Sequence, residues 1–252
     1  MLKTRVIPVL TVKDLKLVKS VQFANHRNIG SYVGAVRVFN ARDVDEMIFL
    51  DLDGREGGIK PWLLQEITKE CFMPLTIGGG IRALDDIRLA LKIGADKIAV
   101  NTAAIKRPEF ISEAAKKFGS QCVVVSIDAK RAGNGYEVFA DGGKTATGLG
   151  AAEWAKEAER KGAGEILLTS IDSDGMMKGY DIQLVRAVSE AVKIPVIASG
   201  GAGNLDDCLD VIKEGGASAL AAASIFQYTQ ITPLNIKEHL AEFGVETRIK
   251  KL

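Results

Sequence analysis

The sequence is poor in the residues that build metal centres and nucleophilic triads. Its 252 residues include two histidines, His26 and His239, and three cysteines, Cys71, Cys122 and Cys208. Two histidines are too few for a histidine metal cluster, and a Ser–His–Asp triad is not readily assembled from them. The cysteines are odd in number and far apart, which argues against a disulfide framework or a CxxC metal site. We therefore expect free thiols and no bound metal.

Net charge and long apolar runs are also missing. The 33 Lys and Arg residues against 32 Asp and Glu residues leave a formal charge of +1, so no broad field attracts nucleic acid or an anionic membrane. No apolar run is long enough to span a bilayer, and Lys3 and Arg5 interrupt the segment where a signal peptide needs its apolar core. We expect a cytoplasmic protein that binds neither nucleic acid nor membrane.

Glycine is abundant, and it occurs in a repeated pattern. The stretch Ile194–Asn204 reads as a buried strand that ends in Gly200-Gly201 before a helix, and Pro74–Gly80 is an earlier copy. The offset between the copies (195 − 74 = 121) recurs along both halves, which indicates a duplicated half-structure. Identical pairs at this offset include Asp51/Asp172, Asp53/Asp174, Gly54/Gly175, Gly79/Gly200, Gly80/Gly201, Leu84/Leu205, Asp85/Asp206, Asp86/Asp207, Lys92/Lys213 and Gly94/Gly215.

Each copy presents glycine amides just before a helix, an arrangement that favours an anion. Many strand-to-helix turns need glycine for conformation only, but the duplication favours two phosphate sites. The glycine pairs lack the GxGxxG spacing and the acidic ribose partner of a dinucleotide fold, so we predict no cofactor. The residues predicted to bind phosphate are Gly80, Asn101 and Thr102 in one half and Ser199, Gly200, Gly201 and Ser224 in the other.

Short β-branched runs alternate with segments of helical period, as in parallel βα units. The predicted strands are Arg5–Leu10, Met47–Asp51, Pro74–Ile77, Lys97–Val100, Cys122–Asp128, Glu165–Ser170, Pro195–Ala198 and Ser218–Ala221. The predicted helices are Tyr32–Arg42, Pro61–Glu70, Leu84–Ile93, Pro108–Phe118, Ala151–Lys161, Ile182–Ala191, Leu205–Glu214 and Pro233–Phe243.

Eight such units with an internal duplication predict a single (β/α)8 TIM barrel over 1–252, with half-barrels of about 1–121 and 122–252. An open doubly wound sheet is the alternative, but a duplicated half-barrel closes on itself. Function is then expected in the loops after the strands. Two of these, Thr11–Gly30 and Lys130–Gly148, are long enough to serve as lids.

Acidic residues at strand ends are the sharpest chemical signal. Asp51, Asp128 and Asp172 each close an apolar run, with Asp53 and Asp174 just beyond. A ring of carboxylates at the barrel mouth can raise the pKa of one member and create a general acid or base. Capping of the following turn is an equal alternative for Asp51 and Asp53. Asp128 is the favoured acid or base, because it ends the apolar run Val123–Ile127 beside a dry core.

Four charges precede or begin strands, at the opposite end of the barrel: Arg5, Glu46, Lys97 and Glu165. Spacing alone favours a salt-bridge plug, the usual stabilising role of that face.

Over nearly its whole length the sequence resembles the cyclase subunit of imidazole glycerol phosphate synthase, an enzyme of histidine biosynthesis. The motifs that carry the resemblance are Phe23-Ala24-Asn25 with Arg27, Thr76–Gly80, Val100–Ala104, Phe118–Gln121, Ser126–Arg131, Gly162–Asp172, Gly179–Asp181 and Ala198–Gly203.

The resemblance implies a glutamine-amidotransferase-dependent lyase. Ammonia from a separate class I glutaminase subunit would enter the bottom of the barrel through a charged gate and react with a phosphorylated small molecule at the top. The four bottom charges match the gate residues, and Lys19 matches a lid lysine and is counted as catalytic with Asp128 and the Thr11 position. Asp174 is counted among the residues that bind the substrate or its phosphates. We expect the glutaminase to dock on the N-terminal face, around Asp96 and the gate.

One departure decides between pathways. The family pairs catalytic aspartates at the ends of the first and fifth strands, but here Thr11 stands in the first position and only Asp128 is retained. The sequence is closer to paralogues of bacterial surface-polysaccharide loci, and Glu70–Pro74 is similar to theirs. That likeness implies amidino-sugar synthesis with a glutaminase and a third enzyme. The alternatives are a working histidine-pathway cyclase, in which Asp128 acts with Asp51 or Asp174, and a scaffold that only activates the glutaminase.

Overall fold

The computed structural model describes residues 3–42 and 44–249. The outermost residues of the predicted 1–252 unit, 1–2 and 250–252, therefore lie outside the described residues. The strands are β1 (Arg5–Lys13), β2 (Lys16–Val21), β3 (Ala24–Gly30), β4 (Met47–Asp51), β5 (Leu75–Gly78), β6 (Lys97–Val100), β7 (Val123–Ala132), β8 (Gly135–Ala140), β9 (Thr145–Gly150), β10 (Glu165–Ser170), β11 (Val196–Ser199) and β12 (Ala219–Ala222).

The helices are α1 (Tyr32–Ala41), α2 (Gly54–Gly57), α3 (Pro61–Glu70), α4 (Leu84–Ile93), α5 (Thr102–Lys106), α6 (Glu109–Phe118), α7 (Ala151–Arg160), α8 (Ile182–Ser189), α9 (Leu205–Lys213), α10 (Ser224–Tyr228) and α11 (Pro233–Glu242). Short α5 and α10 follow the fourth and eighth barrel strands at equivalent positions of the two halves.

Eight parallel strands of the described chain form a closed barrel. Parallel pairing runs in the order β1, β4, β5, β6, β7, β10, β11 and β12, and β12 pairs with β1. Helices connect successive barrel strands, so the predicted (β/α)8 fold is confirmed. All eight predicted strands and eight predicted helices are present, with ends that differ by at most a few residues.

The two long connections, predicted as loops, each contain an antiparallel hairpin. β1 continues into an antiparallel hairpin with β2 and β3, and β7 continues into one with β8 and β9. Antiparallel pairing satisfies backbone groups that a loop of this length would leave to water. The hairpins follow the first and fifth barrel strands, which are related by the internal duplication.

The fold buries two separate apolar clusters. The larger cluster fills the space between barrel and helices, as expected of amphipathic helices on a sheet. The smaller one lies inside the barrel, where side chains such as Ile7, Ile48, Ala99 and Leu167 form an apolar column. No helix of the described residues is long and apolar enough to cross a membrane.

Candidate active site

The carboxyl ends of the barrel strands open into a cavity of about 1340 Å³. Its walls include every residue that the sequence analysis assigned to catalysis or phosphate binding. These are Thr11, Lys19, Gly80, Asn101, Thr102, Asp128, Asp174, Ser199, Gly200, Gly201 and Ser224.

Asp128 lies half-buried in the cavity wall, where β7 pairs with β10 on one side and β8 on the other. Burial, reinforced by the nearby carboxylate of Asp174, raises the pKa of Asp128 to about 7. Asn101 Nδ2 donates to Asp128 Oδ2 over 3.2 Å and also approaches the carbonyl oxygens of Ser126 and Phe139. Asp128 is therefore held in place with a pKa suited to proton transfer near neutral pH.

Lys19 lies on β2 of the first hairpin and is buried. Burial lowers the pKa of Lys19 to about 8, and the carboxylate of Asp174 opposes that shift. Asp174 accepts a hydrogen bond of 3.0 Å from Ser20 Oγ. Burial raises the pKa of Asp174, while the Lys19 ammonium opposes the rise. The first hairpin thus brings a cation with a lowered pKa to the same cavity as Asp128.

Thr11 lies on β1 and lines the cavity from the opposite side. β1 and β7 are four strands apart in either direction around the eight-stranded barrel, so they are diametrically opposed. Thr11 is half-buried and is paired with Leu50 on β4 and Val18 on β2. Thr11 and Asp128 therefore approach the cavity from opposite walls.

Asp51 and Asp53 are joined by a lysine that the sequence analysis did not single out. Lys60 Nζ lies 3.1 Å from Asp51 Oδ2 and 3.2 Å from Asp53 Oδ2. Asp53 Oδ2 also accepts a hydrogen bond from the Asp14 amide. Both carboxylates line the cavity, but each is held by the positive charge of Lys60.

Asp172 was expected at the mouth of the barrel, and this expectation is wrong. Its Oδ2 accepts a hydrogen bond of 2.9 Å from the backbone amide of Arg131, close to the turn between β7 and β8. The side chain is exposed and does not line the cavity. Asp172 thus ties a hairpin to the barrel.

Both glycine turns have positive φ values at each of their two glycines. Gly79 and Gly80 have φ values of 100° and 78°, and Gly200 and Gly201 have values of 89° and 119°. A Cβ on Gly80 would meet backbone atoms of Gly58 and Gly54 at 2.7–2.9 Å, and one on Gly201 would meet the Gly179 oxygen at 2.0 Å. Conformation and packing therefore require glycine here whether or not an anion binds.

The polar groups beside the first turn are already partly engaged. Thr102 Oγ1 accepts from the Asp141 amide and donates to Asn101 Oδ1. The side-chain amide of Asn101 donates hydrogen bonds to Asp128 and to two carbonyl oxygens. Backbone amides of the turn and of α5 are thus better placed than the Asn101 side chain to receive a phosphate.

The four bottom charges form a closed ring of ion pairs. Arg5 Nη1 lies 2.7 Å from Glu46 and 2.9 Å from Glu165, while Lys97 Nζ lies 3.1 Å and 3.0 Å from the same two residues. Burial alone would lower the pKa of Arg5, but the carboxylates of Glu165 and Glu46 together raise it. Each side chain is at most 20% exposed. The ring lies beneath the apolar column of the barrel.

Residues 5–232 match the family model described as histidine biosynthesis protein. The chain belongs to this family. The histidine biosynthesis protein family includes cyclases and isomerases. Membership therefore supports an enzyme-like barrel of the histidine-biosynthesis type, with its active site at the carboxyl ends of the strands.

Proposed function

We propose that this protein is an ammonia-accepting barrel that works with a separate glutaminase subunit in amidino-sugar synthesis for a surface polysaccharide. A third enzyme would complete the amidation of an acetamido sugar. The observation that carries the proposal is that Thr11, and not a second carboxylate, lies across the cavity from Asp128. A hydroxyl donates and accepts hydrogen bonds but does not act as a carboxylate acid or base near neutral pH, so one of two proton-transfer groups is missing.

The bottom ring and the barrel interior support a path for ammonia. The ring of Arg5, Glu46, Lys97 and Glu165 lies at the amino ends of the strands, and the apolar column above it leads to the cavity. Neutral ammonia can cross an apolar interior at much lower desolvation cost than ammonium. The charged ring would act as the gate at which ammonia enters.

The glutaminase would dock on the N-terminal face around Asp96 and the gate. Asp96 Oδ2 accepts a hydrogen bond of 2.8 Å from the Leu75 amide, which fixes the start of β5. On the same side, Phe72 precedes β5 with 84% of its surface exposed. Aromatic side chains of this exposure are typical anchors of protein interfaces.

The second candidate is a working histidine-pathway cyclase, and Asp128 favours it because its pKa of about 7 suits a general acid or base. Either phosphate turn could hold one end of a bisphosphorylated substrate. The second carboxylate would have to be Asp51 or Asp174. Asp51 is paired with Lys60, and Asp174 is hydrogen-bonded to Ser20 on the hairpin.

The deciding experiment has two arms on the unmodified protein. In the first, a class I glutaminase encoded nearby is assayed with and without this chain, and we expect co-purification and stimulation. In the second, the bisphosphorylated formimino substrate of the histidine pathway is supplied with ammonium salt, and we expect little or no turnover. Turnover at the usual enzymatic rates of about 1–10³ s⁻¹ would establish the cyclase instead. Stimulation of the glutaminase with no ammonia reaching any acceptor would favour the scaffold.

A further inference from the structure

The two glycine turns occupy equivalent positions and both have positive φ values, yet their charged surroundings differ. Beside the first turn, Arg55, Arg82 and Lys106 all line the cavity. Beside the second turn, the corresponding positions are occupied by neutral residues such as Met177, Ala202 and Ala223, and the Lys19 ammonium on this side faces the carboxylate of Asp174. The internal duplication therefore supplies its own comparison: one glycine turn with arginines beside it and one without.

The counterparts of the three cations follow from the duplication. Arg55 follows Gly54, and Met176 follows the equivalent Gly175. Lys106 and Tyr228 are the last residues of the equivalent five-residue helices α5 and α10. Each cation of the first half is thus replaced by a neutral residue in the second.

Arg82 corresponds to Gly203, and here the difference is built into the backbone packing. A Cβ at Gly203 would lie 2.2 Å from the Met177 carbonyl oxygen, so the second half has no room for any side chain at this position. In the first half, the Arg82 guanidinium donates to the carbonyl oxygens of Gly54 and Arg55. These carbonyl groups hold the arginine at the cavity wall without neutralising it.

The local carboxylates neutralise the cations only weakly. Arg55 Nη1 donates to the Asp141 carbonyl oxygen over 2.7 Å, and its nearest carboxylate in an ion pair, that of the exposed Glu56, is 3.7 Å away. Lys106 Nζ lies 3.8 Å from Asp141 Oδ1. Exposed pairs at such distances contribute little. In the described part of the chain, no carboxylate forms an ion pair with Arg82.

We propose that the first-half site binds the diphosphate group of a phosphorylated ligand, whereas the second-half site binds a single phosphate. One phosphate needs no more than the glycine-turn amides that both halves possess. The additional guanidinium groups of the first half then meet a second phosphoryl group, for which the planar fork of arginine is suited. This inference rests on the proposed function in that both turns are taken as anion sites.

The test compares inorganic phosphate, pyrophosphate and citrate by isothermal titration calorimetry at constant ionic strength. Citrate provides a multiply charged anion of different geometry. We expect two phosphate sites per chain, one pyrophosphate site at least tenfold tighter than either, and citrate binding no tighter than phosphate. Arg55→Gln with Arg82→Gln should reduce the pyrophosphate preference to below threefold. Arg82→Lys, which keeps the charge, should retain part of it.

Arg88→Gln is the matched control, because Arg88 lies on α4, is exposed and pairs with Asp85 away from the cavity. It should leave pyrophosphate binding unchanged. Three results would overturn the diphosphate assignment while leaving the anion sites in place. These are two phosphate sites without a pyrophosphate preference, a preference that survives the double substitution, and citrate binding as tight as pyrophosphate binding. Failure of phosphate to bind at either site would instead remove the anion sites on which the proposed function depends.

Discussion

Replacement of Thr11 by aspartate is expected to create cyclase activity. Thr11 is half-buried, lines the cavity and lies across the barrel from Asp128. An aspartate differs from threonine by little volume, and the open cavity in front of it can accept the longer carboxylate. The variant would restore a carboxylate at each of the two opposed strand ends without altering the glycine turns or the bottom ring.

The magnitude follows from the role of a proton-transfer group. A positioned general acid or base contributes about 10²–10⁴ in rate. The new carboxylate lacks a dedicated partner comparable to Asn101, which holds Asp128 at 3.2 Å, so only part of that factor should be recovered. We expect Thr11→Asp to raise turnover of the histidine-pathway substrate by at least about tenfold, which corresponds to roughly 1.4 kcal/mol of activation free energy.

The assay uses ammonium salt as the nitrogen source, so that no glutaminase is needed. Thr11→Asn is the matched control, because it has nearly the same shape as Thr11→Asp but cannot hold a proton. Asp128→Asn in the Thr11→Asp background should abolish the gain. The reasoning is refuted if Thr11→Asn gains as much as Thr11→Asp. It is also refuted if the unmodified protein already turns over at ordinary enzymatic rates.

Three further predictions concern Asp128, the bottom ring and the second glycine turn. The pKa of Asp128 is about 7 in the folded protein against an ordinary 3.8, so the native state binds this proton more tightly than the unfolded state does. The free energy of unfolding therefore falls as the pH rises from about 4 towards 7. Asp128→Asn removes the ionisable group, so calorimetry should show that it raises Tm more at pH 8 than at pH 5. Lys97→Met should destabilise the protein by roughly 2 kcal/mol, less than the ~3–5 kcal/mol of a fully buried pair, and adding Glu165→Gln should restore part of the loss in denaturant titrations. Gly201→Ala should lower stability by at least ~2 kcal/mol through strain and the contact with the Gly179 oxygen, whereas Gly57→Ala, where a Cβ has open space, should not.

The barrel strands were predictable because strands that are buried on both faces have a simple hydrophobic sequence pattern. Parallel strands covered by helices appear as short, continuous apolar runs such as Val123–Ile127. The first hairpin was hard to predict for an equally physical reason, whereas the second carries the turn residues Gly133-Asn134 and Asp141-Gly142. The turns at Asp14-Leu15 and Gln22-Phe23 have positive φ values of 49–62° at residues other than glycine or asparagine. Such turns carry no recognisable sequence signal, although the alternation in Gly135–Ala140 could have indicated β8.

Residue types at strand ends were predictable, but their hydrogen-bond partners were not. Asp51 and Asp172 are identical residues at equivalent positions, yet one pairs with Lys60 and the other binds the Arg131 amide. Lys60 has no special pattern around it, and its reach to Asp51 and Asp53 depends on the path of the chain after α2. Likewise, the contact between Asn101, which follows β6, and Asp128 on β7 depends on the parallel pairing of these two strands.

Comparison of the two duplicated halves distinguishes residues that the fold requires from residues that can vary with the reaction. The glycine turns recur because a Cβ on Gly80 or Gly201 would collide with backbone atoms, so packing alone preserves them in both halves. Side chains that point into the cavity are under no such constraint, and there the halves have diverged: Thr11 faces Asp128, and the cations near the first turn have neutral counterparts. Shared backbone features therefore argue for the fold. The reaction and its substrate must be inferred from the differences, and for that reason Thr11 and Arg82 are the decisive positions to alter.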